Sequence, residues 1–173
     1  VLGFVGESGA GKSLTGAAIM GLLEPPGRIT AGTIALQGRR IEDDAASVRG
    51  GEIGMIFQDP LTSLNPLRTV GDQLVETIQL HLGLSGDAAE ARAIELLEEV
   101  GIEPERRGAF PHEFSGGMRQ RIVIALALAP EPKLIIADEP TTALDVSIQA
   151  QVLALLRRLC KERGAAVILI THD

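Results

Sequence analysis

Four short runs along the chain are apolar almost without interruption: residues 1–5, 53–57, 133–137 and 165–170. Runs of this length, rich in Ile, Val and Leu and free of alternation, read as strands buried on both faces. Between them the apolar residues return every three or four positions, the period of a helix with one buried face. Residues 12–23 carry Leu14, Ile19, Leu22 and Leu23 in this way and should stop at Pro25 and Pro26, which cannot continue a helix. Residues 70–82 and 87–100 follow the same rule, with Ala93, Leu96, Leu97 and Val100 on one face. Asp87 with Glu90 resembles a capping pair, and Gly101 supplies the stop. Residues 116–129 and 146–163 complete the set, the last burying Ile148, Val152, Leu155, Leu156 and Leu159 before Gly164.

The weaker patterns predict smaller pieces. Residues 29–36, followed by Gln37 and Gly38, suggest a short strand and turn of a small antiparallel sheet beside the first strand. Residues 39–51 are polar and read as solvated loop or a short helix, and residues 59–66, with two prolines, as an ordered loop. Strands separated by helical segments predict an α/β fold with a mostly parallel sheet and ligands at its carboxyl edge. Residues 59–107 form a helical insertion within it.

Composition changes this picture little. A chain of 173 residues is the length of one domain and can bury roughly 70% of its unfolded surface. Sixteen basic against 23 acidic residues give a net charge of −7, which argues against a nucleic-acid surface. One cysteine, Cys160, excludes an internal disulfide and falls at a packed helical position. The longest apolar run, residues 122–129, is far short of the ~20 residues a membrane span requires. The chain opens inside a strand and closes just after another, the pattern of a piece of a longer protein.

The chemistry gathers at the strand ends. Gly6, Glu7, Ser8, Gly9, Ala10, Gly11, Lys12 and Ser13 fit G-x-x-x-x-G-K-[ST] directly after the first strand, with Leu14 next. Gly9 and Gly11 let bare backbone approach an anion, Lys12 adds charge, and Ser13 offers a hydroxyl suited to Mg²⁺ at the start of a helix whose positive end faces the phosphates. The weaker alternative is a glycine turn that merely joins strand to helix. The second strand delivers Gln58. The third delivers Asp138 and Glu139, a carboxylate pair suited to Mg²⁺ coordination and water activation. The fourth delivers His172. A second helix start, at Ser115, Gly116 and Gly117, is either another anion-receptive terminus or a plain N-cap. His81 and His112 read as surface or loop residues.

Taken in this order the pieces resemble an ATP-binding cassette (ABC) ATPase over essentially the whole chain. Residues 6–13 are similar to its Walker A loop and Gln58 to its Q-loop glutamine. Ser115, Gly116 and Gly117 match its signature, with Phe114 where leucine is usual. Residues 134–138 match Walker B, followed by Glu139; Ala143, Leu144 and Asp145 match the D-loop, and His172 the switch histidine. The segments 56–66 and 138–146 look most similar to the oligopeptide, dipeptide and nickel importer group. The aromatic residue that stacks on adenine lies, in this family, upstream of the matched region.

The resemblance implies ATP and Mg²⁺ as ligands and two cassettes packed head to tail, as a homodimer or heterodimer. ATP held by Gly9, Gly11, Lys12 and Ser13 of one copy would be closed over by Ser115, Gly116 and Gly117 of the other. It implies Ser13, Gln58 and Asp138 toward the metal, Glu139 as general base, and His172 with Lys12 at the γ-phosphate. It further implies membrane permease subunits docked on residues 59–107, a solute-binding protein engaged indirectly, no nucleic acid, and a peripheral place on the cytoplasmic face of the inner membrane. Rival readings are another P-loop class, such as a kinase or GTPase, and a soluble cassette acting in translation or DNA repair.

Overall fold

The computed structural model describes residues 1–7 and 9–172. Four strands, β1 (Leu2–Val5), β4 (Ile53–Ile56), β5 (Leu134–Asp138) and β6 (Ala166–Thr171), form one sheet in the order β1-β6-β5-β4. Every neighbouring pair runs parallel. All four strands therefore end at the same edge, which places the residues that follow them side by side.

The uninterrupted apolar runs have their explanation in the two faces of this sheet. Ile56, Ile135, Ala137 and Val167 enter the larger core, while Ile53, Ile136 and Ile170 enter a second one. Alternate residues of one strand thus serve opposite sides. Helices α4 (Val70–Leu82), α5 (Asp87–Glu99), α6 (Gly116–Leu128) and α7 (Val146–Glu162) contribute to the first core. Helix α1 (Lys12–Ile19) covers the other face, where Gly16 lies so near the sheet that an added Cβ would stand 3.3 Å from Ile136 and 3.4 Å from Ile170. Cys160 is buried in α7, as its helical position predicts.

Several boundaries differ from expectation. Helix α1 ends at Ile19 rather than near residue 23, because Gly21 takes φ +63° and closes the helix with Gly21 N–H on Ala18 O and Leu22 N–H on Ala17 O. Such a left-handed glycine stop acts before the prolines are reached. The strand expected over residues 29–36 shrinks to β2 (Ala35–Leu36), since Gly32 at φ +103° breaks the extended run. It pairs with β3 (Arg39–Arg40) in a separate two-stranded sheet, not beside β1. Gln37 and Gly38, at φ +50° and +83°, make the tight turn between them.

The polar segment 39–51 thus contains β3 and a single helical turn, α2 (Ala45–Val48), anchored by buried Ile41, Ala45 and Val48. The ordered loop after Gln58 holds α3 (Pro60–Ser63), whose Asp59 cap accepts from Leu61 N–H at 2.8 Å. Asp87 and Glu90 lie in the first turn of α5 without making a capping pair, because Gly86 occupies the cap position. Gly101, at φ +73°, stops that helix as predicted. Among the described residues no helix is long and apolar enough to cross a membrane.

Candidate functional site

The loop after β1 turns on Gly9 and Gly11, at φ +85° and +83°, a backbone region that favours glycine. Gly11 takes the N-cap position of α1, and among the described residues no side chain caps that helix start, the kind of terminus that suits an anion. Lys12 folds back over the loop, its Nζ donating to Gly6 O at 2.7 Å and Glu7 O at 2.8 Å. Ala10 N–H closes the turn on Glu7 O at 3.3 Å. Leu14 is 64% exposed, an apolar side chain turned outward beside the loop. Ser8 lies outside the described residues.

Across the sheet edge, Ser13 Oγ donates to Asp138 Oδ1 at 3.0 Å, joining the β1 loop to the end of β5. Burial pushes the Asp138 carboxyl above the usual aspartate range, with the neighbouring Glu139 charge adding to it and the Ser13 hydroxyl and Lys12 opposing. Glu139 behaves oppositely: the Thr142 hydroxyl, together with His172 and Lys12, holds its carboxyl below the usual glutamate range against a smaller effect of burial. Thr142 Oγ1 donates to Glu139 Oε2 at 2.9 Å, and His172 Nδ1, just beyond β6, lies 3.1 Å from Glu139 Oε1. Two adjacent carboxylates with shifts of opposite sign are suited to different tasks.

A cavity of about 280 Å³ is lined by Gly9, Gly11, Lys12, Ser13, Leu14, Gln58 and Glu139. Gln58 reaches it from the end of β4. Three of the four strand ends thus line one space, and His172, after β6, stands beside it through its contact with Glu139. Among the described residues, Ser115, Gly116 and Gly117 do not line this cavity. Ser115 caps α6, its Oγ accepting from Met118 N–H at 3.4 Å. Gly117 lets α7 approach, since a Cβ there would stand 2.7 Å from Ile148, while one at Gly116 would meet Leu144, in the turn before α7, at an ordinary 3.5 Å.

The donor set bears on a metal. Among the described residues no group of three or more His, Cys, Asp or Glu could hold an ion. What stands together is one carboxylate and one hydroxyl. That pair fits Mg²⁺, which keeps several waters and takes further oxygens from substrate phosphates, better than a metal needing an all-protein cage. Thr142 had escaped the motif reading. Its spacing of three residues from Glu139 within a turn is the available signal, but a hydroxyl there is equally at home as a turn former.

The sequence model of the ABC transporter family matches residues 1–142. The chain belongs to the ABC transporter family. Among its relatives, the oligopeptide transport ATP-binding protein OppD of Bacillus subtilis (strain 168) is 58% identical over 99% of this chain and 50% of its own length. The dipeptide transport ATP-binding protein DppD of Escherichia coli (strain K12) is 51% identical over 100% of this chain and 55% of its own. The chain therefore spans about half the length of these curated relatives. Among solved structures, the ATP-binding cassette MJ0796, a dimer in a post-hydrolysis state bound to ADP and Pi, superposes with a TM-score of 0.82 at 32% identity, covering 99% of this chain and 74% of that one. The cbiO1 protein of Clostridium perfringens, part of the ABC transporter complex cbiONQ, gives 0.82 at 29% identity, covering 99% and 66%. Membership of the ABC transporter family sets aside the kinase and GTPase readings.

Proposed function

We propose that this chain is the ATP-binding and ATP-hydrolysing part of a subunit that drives import of peptides, or of a related small solute, across a membrane. The observation that carries the reading is the convergence of the Gly9–Gly11 loop, Lys12, Ser13, Gln58 and Glu139 on one cavity, with Asp138 bonded to Ser13 beside it. The oligopeptide and dipeptide transport roles named for the relatives support the cargo.

In this reading the backbone of residues 6–13 and the start of α1 surround the phosphates of ATP. Lys12 exchanges its loop carbonyls for phosphate oxygens, which are stronger acceptors for an ammonium group. Ser13 and Asp138, with Gln58 nearby, would hold Mg²⁺, which when bound would draw charge from the phosphate oxygens. Glu139, already ionised, takes a proton from the attacking water at its carboxylate, and His172 steadies that carboxylate and the γ-phosphate. Phosphoryl transfer demands positioning and charge stabilisation above all, and each of these groups supplies one or the other.

The helix start at Ser115, Gly116 and Gly117 lies outside the cavity, so it serves a second copy in a head-to-tail dimer, homomeric or heteromeric. Residues 1–173 act as one nucleotide-binding unit. Within it, residues 59–107 form the insertion on which permease subunits dock, placing the protein peripherally at the cytoplasmic face of the membrane, with a solute-binding protein engaged through the permeases. Net charge −7 favours this reading over a nucleic-acid-bound cassette.

The test is nucleotide binding by the wild type and by Lys12→Ala. The substitution is expected to weaken ATP affinity at least about tenfold, as loss of a charge-assisted contact does. Unaltered affinity would remove the loop from the site.

A further inference from the structure

Glu139 stands in left-handed backbone at φ +46°, a strained region for a residue with a side chain. The contacts around it hold it there. Its N–H donates to Ile170 O at 2.9 Å, and Thr142 N–H reaches back to Glu139 O at 3.3 Å. Its two carboxylate oxygens belong to different neighbours: Oε2 accepts from the Thr142 hydroxyl at 2.9 Å, and Oε1 faces His172 Nδ1 at 3.1 Å.

Thr142 is itself fixed. Its turn is closed by Leu144 N–H on Thr141 O at 3.0 Å, and the Gln149 amide donates to Thr141 O at 3.1 Å and Leu144 O at 3.0 Å. Gln149 lies in the first turn of α7, so the hydroxyl is referred to a helix of 17 residues packed on the core. Threonine suits the task because its branched Cβ restricts χ1, so a donor is aimed with little rotamer freedom left to lose. A hydroxyl also orients a carboxylate without placing a cation against it, which would weaken it as a base far more.

We infer that Thr142 is a positioning residue for ATP hydrolysis, its hydroxyl occupying one carboxylate oxygen of Glu139 and fixing the carboxylate plane so that the other oxygen takes the proton from water. The inference rests on the reading of Glu139 as general base. A turn former without this role would affect folding but not the division between kcat and KM.

The experiment measures kcat and KM for ATP, with melting temperature, on the full chain of the wild type, Thr142→Val, Thr142→Ser and Glu139→Gln. Thr142→Val keeps the shape and removes the donor; kcat should fall about 10–100-fold, the usual effect of losing an orienting partner, with KM for ATP and melting temperature nearly unchanged. Thr142→Ser, which restores the donor, should recover most of that rate. Should Thr142→Val not fold, Thr142→Ala set against Thr142→Ser decides the same question. A kcat for Thr142→Val within about twofold of wild type, a Thr142→Ser rate as low as that of Thr142→Val, or a KM that rises as kcat falls would each overturn the inference. If Glu139→Gln is inactive while Thr142→Val is unimpaired, the positioning role alone falls. If Glu139→Gln turns over at the wild-type rate, the general-base reading falls with it.

Discussion

Asp138 carries two opposing demands. Half-buried at the end of β5, it is held by Ser13 on one oxygen, yet burial raises its pKa above the ordinary value. Because the folded value exceeds the unfolded one, the folded chain holds this proton more tightly than the unfolded chain. The contribution of Asp138 to stability is therefore present at low pH and is lost as pH rises through the raised value; near neutrality the ionised group is a net destabilisation. Asp138→Asn should raise the melting temperature of the nucleotide-free chain near pH 7 and reduce its advantage over wild type at acid pH. The same substitution should remove the extra stabilisation that Mg²⁺ adds to that from ATP, weakening metal-dependent binding about 10–100-fold. Thermal unfolding at two pH values, with and without Mg-ATP, checks both directions. Lys12, Ser13, Asp138, Glu139 and Gln58 were legible in sequence because each lies at or just past the end of an apolar run or in the first turn of a helix. The Thr142–Glu139–His172 contact was not, since it depends on the rotamer of Glu139 and on the register that sets β6 beside β5.

Among the elements, α6 and β4 approach more closely than any side chain would allow. A Cβ at Gly54 would stand 2.6 Å from Ala127 O and 2.7 Å from Ile135 Cδ1, so the helix backbone lies directly against the strand. Gly54→Ala should force the two apart and destabilise the chain by about 1–3 kcal/mol, read as a lower denaturant midpoint with an unchanged slope. Because β4 also delivers Gln58, the shift should displace that side chain from the cavity. Helices with strong stripes, α4 and α5, were readable to within a residue or two, since long amphipathic periods are little affected by context. The segment 29–51 was not: its two-residue strands draw on the left-handed turn at Gln37 and Gly38 and on burial of Ile41 and Val48, and neither leaves a period to detect.

The parallel sheet brings four strand ends to one edge, three of them lining one cavity, and the sheet itself followed from four apolar runs separated by helices. The cavity is lined by the Gly9–Gly11 loop, Gln58 and Glu139, while the capped start of α6 is not among its lining residues and packs on Leu144 and Ile148 through Gly116 and Gly117. The proposed head-to-tail dimer would bring the α6 start of one copy to the cavity of the other. Phosphate release per chain, measured across a range of chain concentrations at saturating Mg-ATP for the wild type and Glu139→Gln, tests this most directly. The account predicts that wild-type turnover per chain rises with concentration to a plateau, while Glu139→Gln binds ATP and releases almost no phosphate. Turnover per chain independent of concentration, or a Glu139→Gln rate equal to wild type, would contradict it.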